Sequence, residues 1–167
     1  MPLTRPSGIP IVRVEEAPVS QEVAQIDSRG RLNLLPRWTK RIDWMPNEPV
    51  ELLALMVFQE PGLITICSWE GEGQRVEQRY KELALQEDAI ALDALRLIQD
   101  RYQKLIVPPQ RRCSLGQAAL AHLGFPAPPG KEQTLYVAVY STKIDLLSPS
   151  CRNRKLLAGN PLLDDLP

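Results

Sequence analysis

The chain has 167 residues, 44% of them hydrophobic, enough for one compact core or two small coupled lobes. Twenty basic and twenty acidic residues leave a formal net charge of zero. That argues against holding nucleic acid by overall charge, though a local basic patch remains open. Cys67, Cys113 and Cys151 lack C-x-x-C spacing and there is one histidine, so neither a zinc site nor a Cys/His catalytic pair is expected, and reduced cytoplasmic thiols are.

Residues 1–21 carry Pro2, Pro6, Pro10 and Pro18 without helical period and read as an extended or disordered arm. Its Arg5 and Arg13 are answered at once by Glu15-Glu16. There is no signal-peptide apolar core and no run of membrane-spanning length, so no membrane partner is expected.

A first unit spans 22–72. Gln25-Ile26 lead into Asp27-Ser28-Arg29-Gly30, where Asp bonds the backbone two residues on and Gly permits positive φ. Arg31-Leu32-Asn33-Leu34 alternates as a half-buried strand. Leu35, Trp38 and Ile42 then fall at i, i+3 and i+7, one helix face, with Arg37, Lys40 and Arg41 on another. Val50–Phe58 and Leu63–Trp69 flank Gln59-Glu60-Pro61-Gly62, a hairpin signal.

Residues 73–104 form a charged helical linker. Val76, Tyr80 and Leu83 make one apolar stripe; Ala91, Leu95, Ile98 and Tyr102 make a second, out of register with the first. Glu87-Asp88 between them reads as a helix start, so two helices are expected. Glu77–Lys81 and Asp100–Lys104 are spaced for i, i+4 ion pairs on an exposed face.

Pro108-Pro109 ends the second helix and opens a second unit, 105–148. Arg31 maps onto Arg112 and Trp44 onto Phe125 at a common offset of 81, which also takes Leu34 to Leu115, Trp38 to Ala119 and Ile42 to Leu123. Thr134–Tyr140 and Lys143–Leu147 repeat the hairpin. Five positions change between the copies: Asp27 and Gly30 become Pro108 and Arg111, and Arg37, Lys40 and Arg41 become Ala118, Ala121 and His122. Residues 149–167 form a tail with little periodicity, holding Arg152, Arg154, Lys155 and a Leu162-Leu163 pair. The tail is read either as disordered or as carrying a short docking element.

Asp27, Gly30, Arg31 and Leu34 stand where the D-x-x-G-R-x-x-[IL]-P half-motif of the AbrB/MraZ swapped-hairpin family has its fixed residues, with Leu35 in the usual proline place. The chain resembles that family over 22–147, and two copies in one chain resemble the MraZ arrangement. The resemblance implies an α+β, mainly β fold: a swapped-hairpin barrel from two internal repeats, bridged by a helical pair. It also implies a sequence-specific transcriptional regulator that binds double-stranded DNA as a homo-oligomer, in the cytoplasm and associated with the nucleoid.

Only Arg31 and Arg112 match the motif arginine. Arg29, Arg37, Lys40 and Arg41 complete a basic constellation in the first copy, and Arg111 adds to it in the second; arginine suits phosphate and guanine edges because its planar fork donates two parallel hydrogen bonds. The alternative for Arg31 is a pair with Asp27 or Asp43. The carboxylates are scattered and no glycine-rich phosphate loop is present, so neither an enzyme nor a cofactor is expected. The rival reading keeps the fold without a DNA role, as an assembly subunit meeting a protein partner through the helical linker or the C-terminal tail.

Overall fold

The computed structural model describes residues 18–39, 50–57 and 59–158. The arm up to residue 17, Lys40 and Arg41 with Ile42 and Trp44, and the Leu162-Leu163 pair lie outside them. Eight short strands follow the apolar alternation: β1 (Ser20–Ile26), β2 (Arg31–Asn33), β3 (Val50–Met56), β4 (Leu63–Ser68), β5 (Tyr102–Val107), β6 (Arg112–Ser114), β7 (Gln133–Val139) and β8 (Ile144–Leu147). The α-helices among the described residues are α1 (Pro36–Thr39), α2 (Gln74–Ala84), α3 (Ala89–Arg101), α4 (Gln117–His122) and α5 (Pro149–Ala158).

One antiparallel sheet runs in the order β5-β3-β4-β8-β7-β1-β2-β6. The strands at its two ends, β5 and β6, follow one another in the chain and lie side by side. The sheet therefore curls into a nearly closed barrel, an α+β fold dominated by β. Each strand of the first unit pairs with one of the second: β1 with β7 from Ser20↔Val139 to Ile26↔Gln133, β3 with β5, β2 with β6 and β4 with β8.

Period-two alternation decides what fills the barrel. Ile26, Leu32, Leu52, Met56, Ile64, Leu105, Leu135 and Leu146 point inward and are buried, and Trp38 of α1 plugs the interior at 1% exposure. Truncating one of these leucines to alanine costs about 2–5 kcal/mol, transfer and cavity terms together.

Three local expectations change. First, α3 starts where Asp88 caps it, its carboxylate accepting from the Ala91 N–H at 2.7 Å, but it stops at Arg101. Tyr102 opens β5 opposite Leu55, because the ladder with β3 outweighs the helical period. Lys104 therefore pairs with Glu51 across the strands at 3.0 Å, not with Asp100. The helical pair Glu77–Lys81 does form, at 3.6 Å.

Second, the tryptophans of the first unit, Trp38, Trp44 and Trp69, are expected to fill the core beside the helix, but Trp69 lies outside the barrel. It is half-buried beneath the α2–α3 pair with the Lys104 ammonium 4.7 Å from its ring centre. Third, the start of the tail is helical. Ser148 Oγ accepts from the Cys151 N–H at 3.2 Å, and Cys151 anchors α5 on the barrel at 1% exposure. Tertiary anchoring makes this helix, which lacks a long apolar stripe of its own.

Candidate nucleic-acid interface

The β1–β2 turn is built as its residues dictate. Asp27 Oδ1 accepts from the backbone N–H groups of Arg29 and Arg31, each at 2.9 Å, and the Gly30 N–H donates to Asp27 O at 3.0 Å. Gly30 takes φ +82°, and a Cβ there would stand 2.9 Å from a Leu120 methyl. The β5–β6 turn has the same form, the Arg111 N–H donating to Pro108 O at 2.8 Å. Arg111 itself adopts φ +65°, a left-handed conformation without glycine.

The two turns interlock. The Leu34 N–H donates to Arg111 O at 2.8 Å, and the Leu115 N–H donates to Gly30 O at 2.9 Å. Between them β2 and β6 form a short ribbon in the register Arg31↔Ser114, Leu32↔Cys113, Asn33↔Arg112. Leu32 and Cys113 face the core. The opposite face carries Arg31, Asn33, Arg112 and Ser114, with Arg29 and Arg111 in the adjoining turns. Arg31 and Arg112 are diagonal neighbours on that face, a relation that spans about 7–8 Å in antiparallel pairs.

The arginines differ in their partners. Arg31 Nε donates to Asp27 Oδ2 at 2.8 Å, the intramolecular pair that the sequence left open. Desolvation works to raise the Asp27 carboxyl, but hydrogen bonds from the Arg31 and Arg29 backbone and from the Arg31 guanidinium outweigh it and hold the carboxyl below its ordinary value. Arg37 is bonded to Glu22 Oε1 through Nε at 2.7 Å and through a second guanidinium nitrogen, and Trp38 Nε1 donates to Glu22 Oε2 at 2.7 Å. That hydrogen bond to Glu22, with its charge, raises the Arg37 guanidinium above its ordinary value. Arg29, Arg111 and Arg112 take part in no ion pair among the described residues. Lys40 and Arg41 lie outside those residues.

Glu22 is the participant that the sequence reading missed. It sits fifteen residues before Arg37, on β1 and not on α1, and no local spacing marks it. The positive φ of Arg111 did have a signal, since the offset of 81 lays it on Gly30. In the second copy, Ala118 and Ala121 are exposed on α4, and His122 Nε2 lies 2.9 Å from Leu63 O, tying α4 to β4. Burial pushes the Cys113 thiol up to about 12 and raises those of Cys67 and Cys151. Among the described residues no group of three His, Cys, Asp or Glu is placed to hold a metal ion, and no helix is long and apolar enough to cross a membrane.

A scan against protein-family models gives no match to this chain, and a search of curated proteins gives none either.

Proposed function

We propose that the chain is a DNA-binding transcriptional regulator of AbrB/MraZ type, acting as a homo-oligomer and meeting duplex DNA through the β2–β6 ribbon. The observation that carries this reading is the ribbon itself. Two arginines from each unit gather on or beside its polar face, and three of the four have no carboxylate partner among the described residues. A two-stranded antiparallel ribbon fits the major groove of B-DNA, where arginine forks meet guanine edges and phosphates.

The finer fold assignment belongs to the same proposal. Pairing of every strand across the two units, with matched turns at Gly30 and Arg111, supports a swapped-hairpin repeat. Oligomerisation is argued from charge: four arginines on a neutral chain offer few phosphate contacts, so several ribbons must act together. Leu85, Ile90 and Leu97, each more than half exposed on or beside the α2–α3 pair, supply apolar surface for that association.

Fluorescence anisotropy with duplex from upstream of the chain's own gene, at about 50 and about 200 mM salt, tests the proposal. Binding above that of a scrambled duplex, weakening steeply with salt, is the expected result. No affinity at the lower salt would defeat the reading. One observation favours the rival assembly-subunit function: Arg31 and Arg37 are already neutralised by Asp27 and Glu22. Under that reading the chain still assembles, by light scattering, but DNA affinity is absent.

A further inference from the structure

The outer face of β1, β7, β8 and β4 is crossed at one end by α5, and between them lies a cleft of about 540 Å³. That volume suits a small organic ligand. At its floor Thr65 and Asp145 face each other in the β4–β8 register, the Thr65 hydroxyl donating to Asp145 Oδ1 at 2.9 Å. Asp145 is 7% exposed, a charged side chain committed to the cleft. Tyr136 and Tyr140 supply aromatic wall, and Leu147 and Val57 add apolar surface.

Charge at the cleft is divided unevenly. Lys155 pairs with Glu60 at 2.7 Å, Lys143 lies 3.5 Å from Asp145, and both oxygens of Glu22 are taken by Arg37 and Trp38. Arg152 has its guanidinium carbon 4.2 Å from the Tyr136 ring centre and takes part in no ion pair among the described residues. Arg152 is a half-buried residue, and a guanidinium held this close over an aromatic ring still has N–H donors to offer a planar anion.

We infer that this cleft binds a small aromatic monoanion that also bears a hydrogen-bond donor. The carboxylate, or an equivalent planar anion, meets Arg152. The ring packs between the Tyr140 side and Leu147. The donor, a hydroxyl or amine, reaches the Asp145 carboxylate at the floor, beside the Thr65 hydroxyl that already donates to Oδ1. The site is separate from the β2–β6 ribbon, so it stands or falls independently of the DNA reading.

The test is a two-dimensional amide NMR titration of the full chain, without DNA, using 4-hydroxybenzoate, with benzoate and tyramine as the donor-lacking and cationic comparisons. Saturable shifts confined to the surroundings of Thr65, Tyr136, Asp145 and Arg152 are expected, in the affinity order 4-hydroxybenzoate, benzoate, tyramine. Arg152→Gln, which keeps a polar side chain at a position outside the hydrophobic core, should lower affinity about tenfold or more while leaving the remaining spectrum in place. A second variant, Ala138→Trp, fills the cleft from its wall and should abolish the shifts. Unlocalised or absent shifts, unchanged affinity in Arg152→Gln, or a preference for tyramine would each overturn the assignment.

Discussion

At the scale of single residues, the paired turns make opposite demands on positions 30 and 111. Arg111 holds a left-handed φ of +65° that costs a non-glycine residue about 1–2 kcal/mol, partly offset by the extra freedom glycine would give the unfolded chain. Arg111→Gly should therefore raise stability by about 0.5–1 kcal/mol in urea unfolding. Gly30→Ala should lower it by about 1–2 kcal/mol, since its Cβ meets a Leu120 methyl as well as an unfavourable φ. Cys113 gives a pH dependence. Its folded thiol titrates at about 12 against an ordinary 9.0, so as pH rises the unfolded chain gives up its proton first. The stability concerned is complete below the ordinary value and is lost as pH climbs toward the folded one. At about pH 11 the loss is on the order of 2–3 kcal/mol, and Cys113→Val should not show it. Equal alkaline profiles for the two proteins would contradict that assignment.

At the scale of elements, local chemistry was legible and tertiary choices were not. The Asp27–Gly30 turn, the hairpin before Leu63 and the Asp88 start of α3 are each written in residues within four positions of one another. The end of α3 is hidden in the sequence because Tyr102 continues the apolar stripe, while it pairs in β5 with Leu55, far back in the chain. The α5 helix is unmarked in the sequence for a similar reason: Ser148 and Cys151 fix it to the barrel, and its own sequence is nearly without period. Of the candidate site, the arginine of each turn was visible, but their meeting on one ribbon is a product of topology. Gly62 joins the β3–β4 turn to α5. The Ser148 N–H donates to Gly62 O at 2.9 Å, and a Cβ at residue 62 would stand 2.2 Å from Ser148 Oγ at a φ of +90°. Gly62→Ala should cost about 2 kcal/mol or more and loosen α5, seen as faster amide exchange at Cys151 and Arg152 than at β7. Unchanged exchange in α5 would show that the contact yields without consequence.

At the scale of the whole molecule, the barrel has no half that closes on itself. All four strands of the first unit lean on the second for a ladder, and the inward leucines of each complete a shared core. Residues 1–72 and 102–167 expressed separately should stay unfolded as monomers and recover a dispersed amide spectrum when mixed. A dispersed monomeric spectrum from either fragment alone would contradict this. The ribbon is the outcome of that shared closure, since β2 comes from one unit and β6 from the other. The most direct measurement is the salt dependence of duplex affinity for the wild type and for Arg29→Ala/Arg112→Ala, two exposed substitutions outside the core, with oligomer size checked by light scattering. The ribbon account predicts weaker binding and a log–log salt slope shallower by about 1.8 for each ribbon engaged, since each phosphate contact contributes about 0.9. A double variant that keeps both the affinity and the slope of the wild type would contradict it.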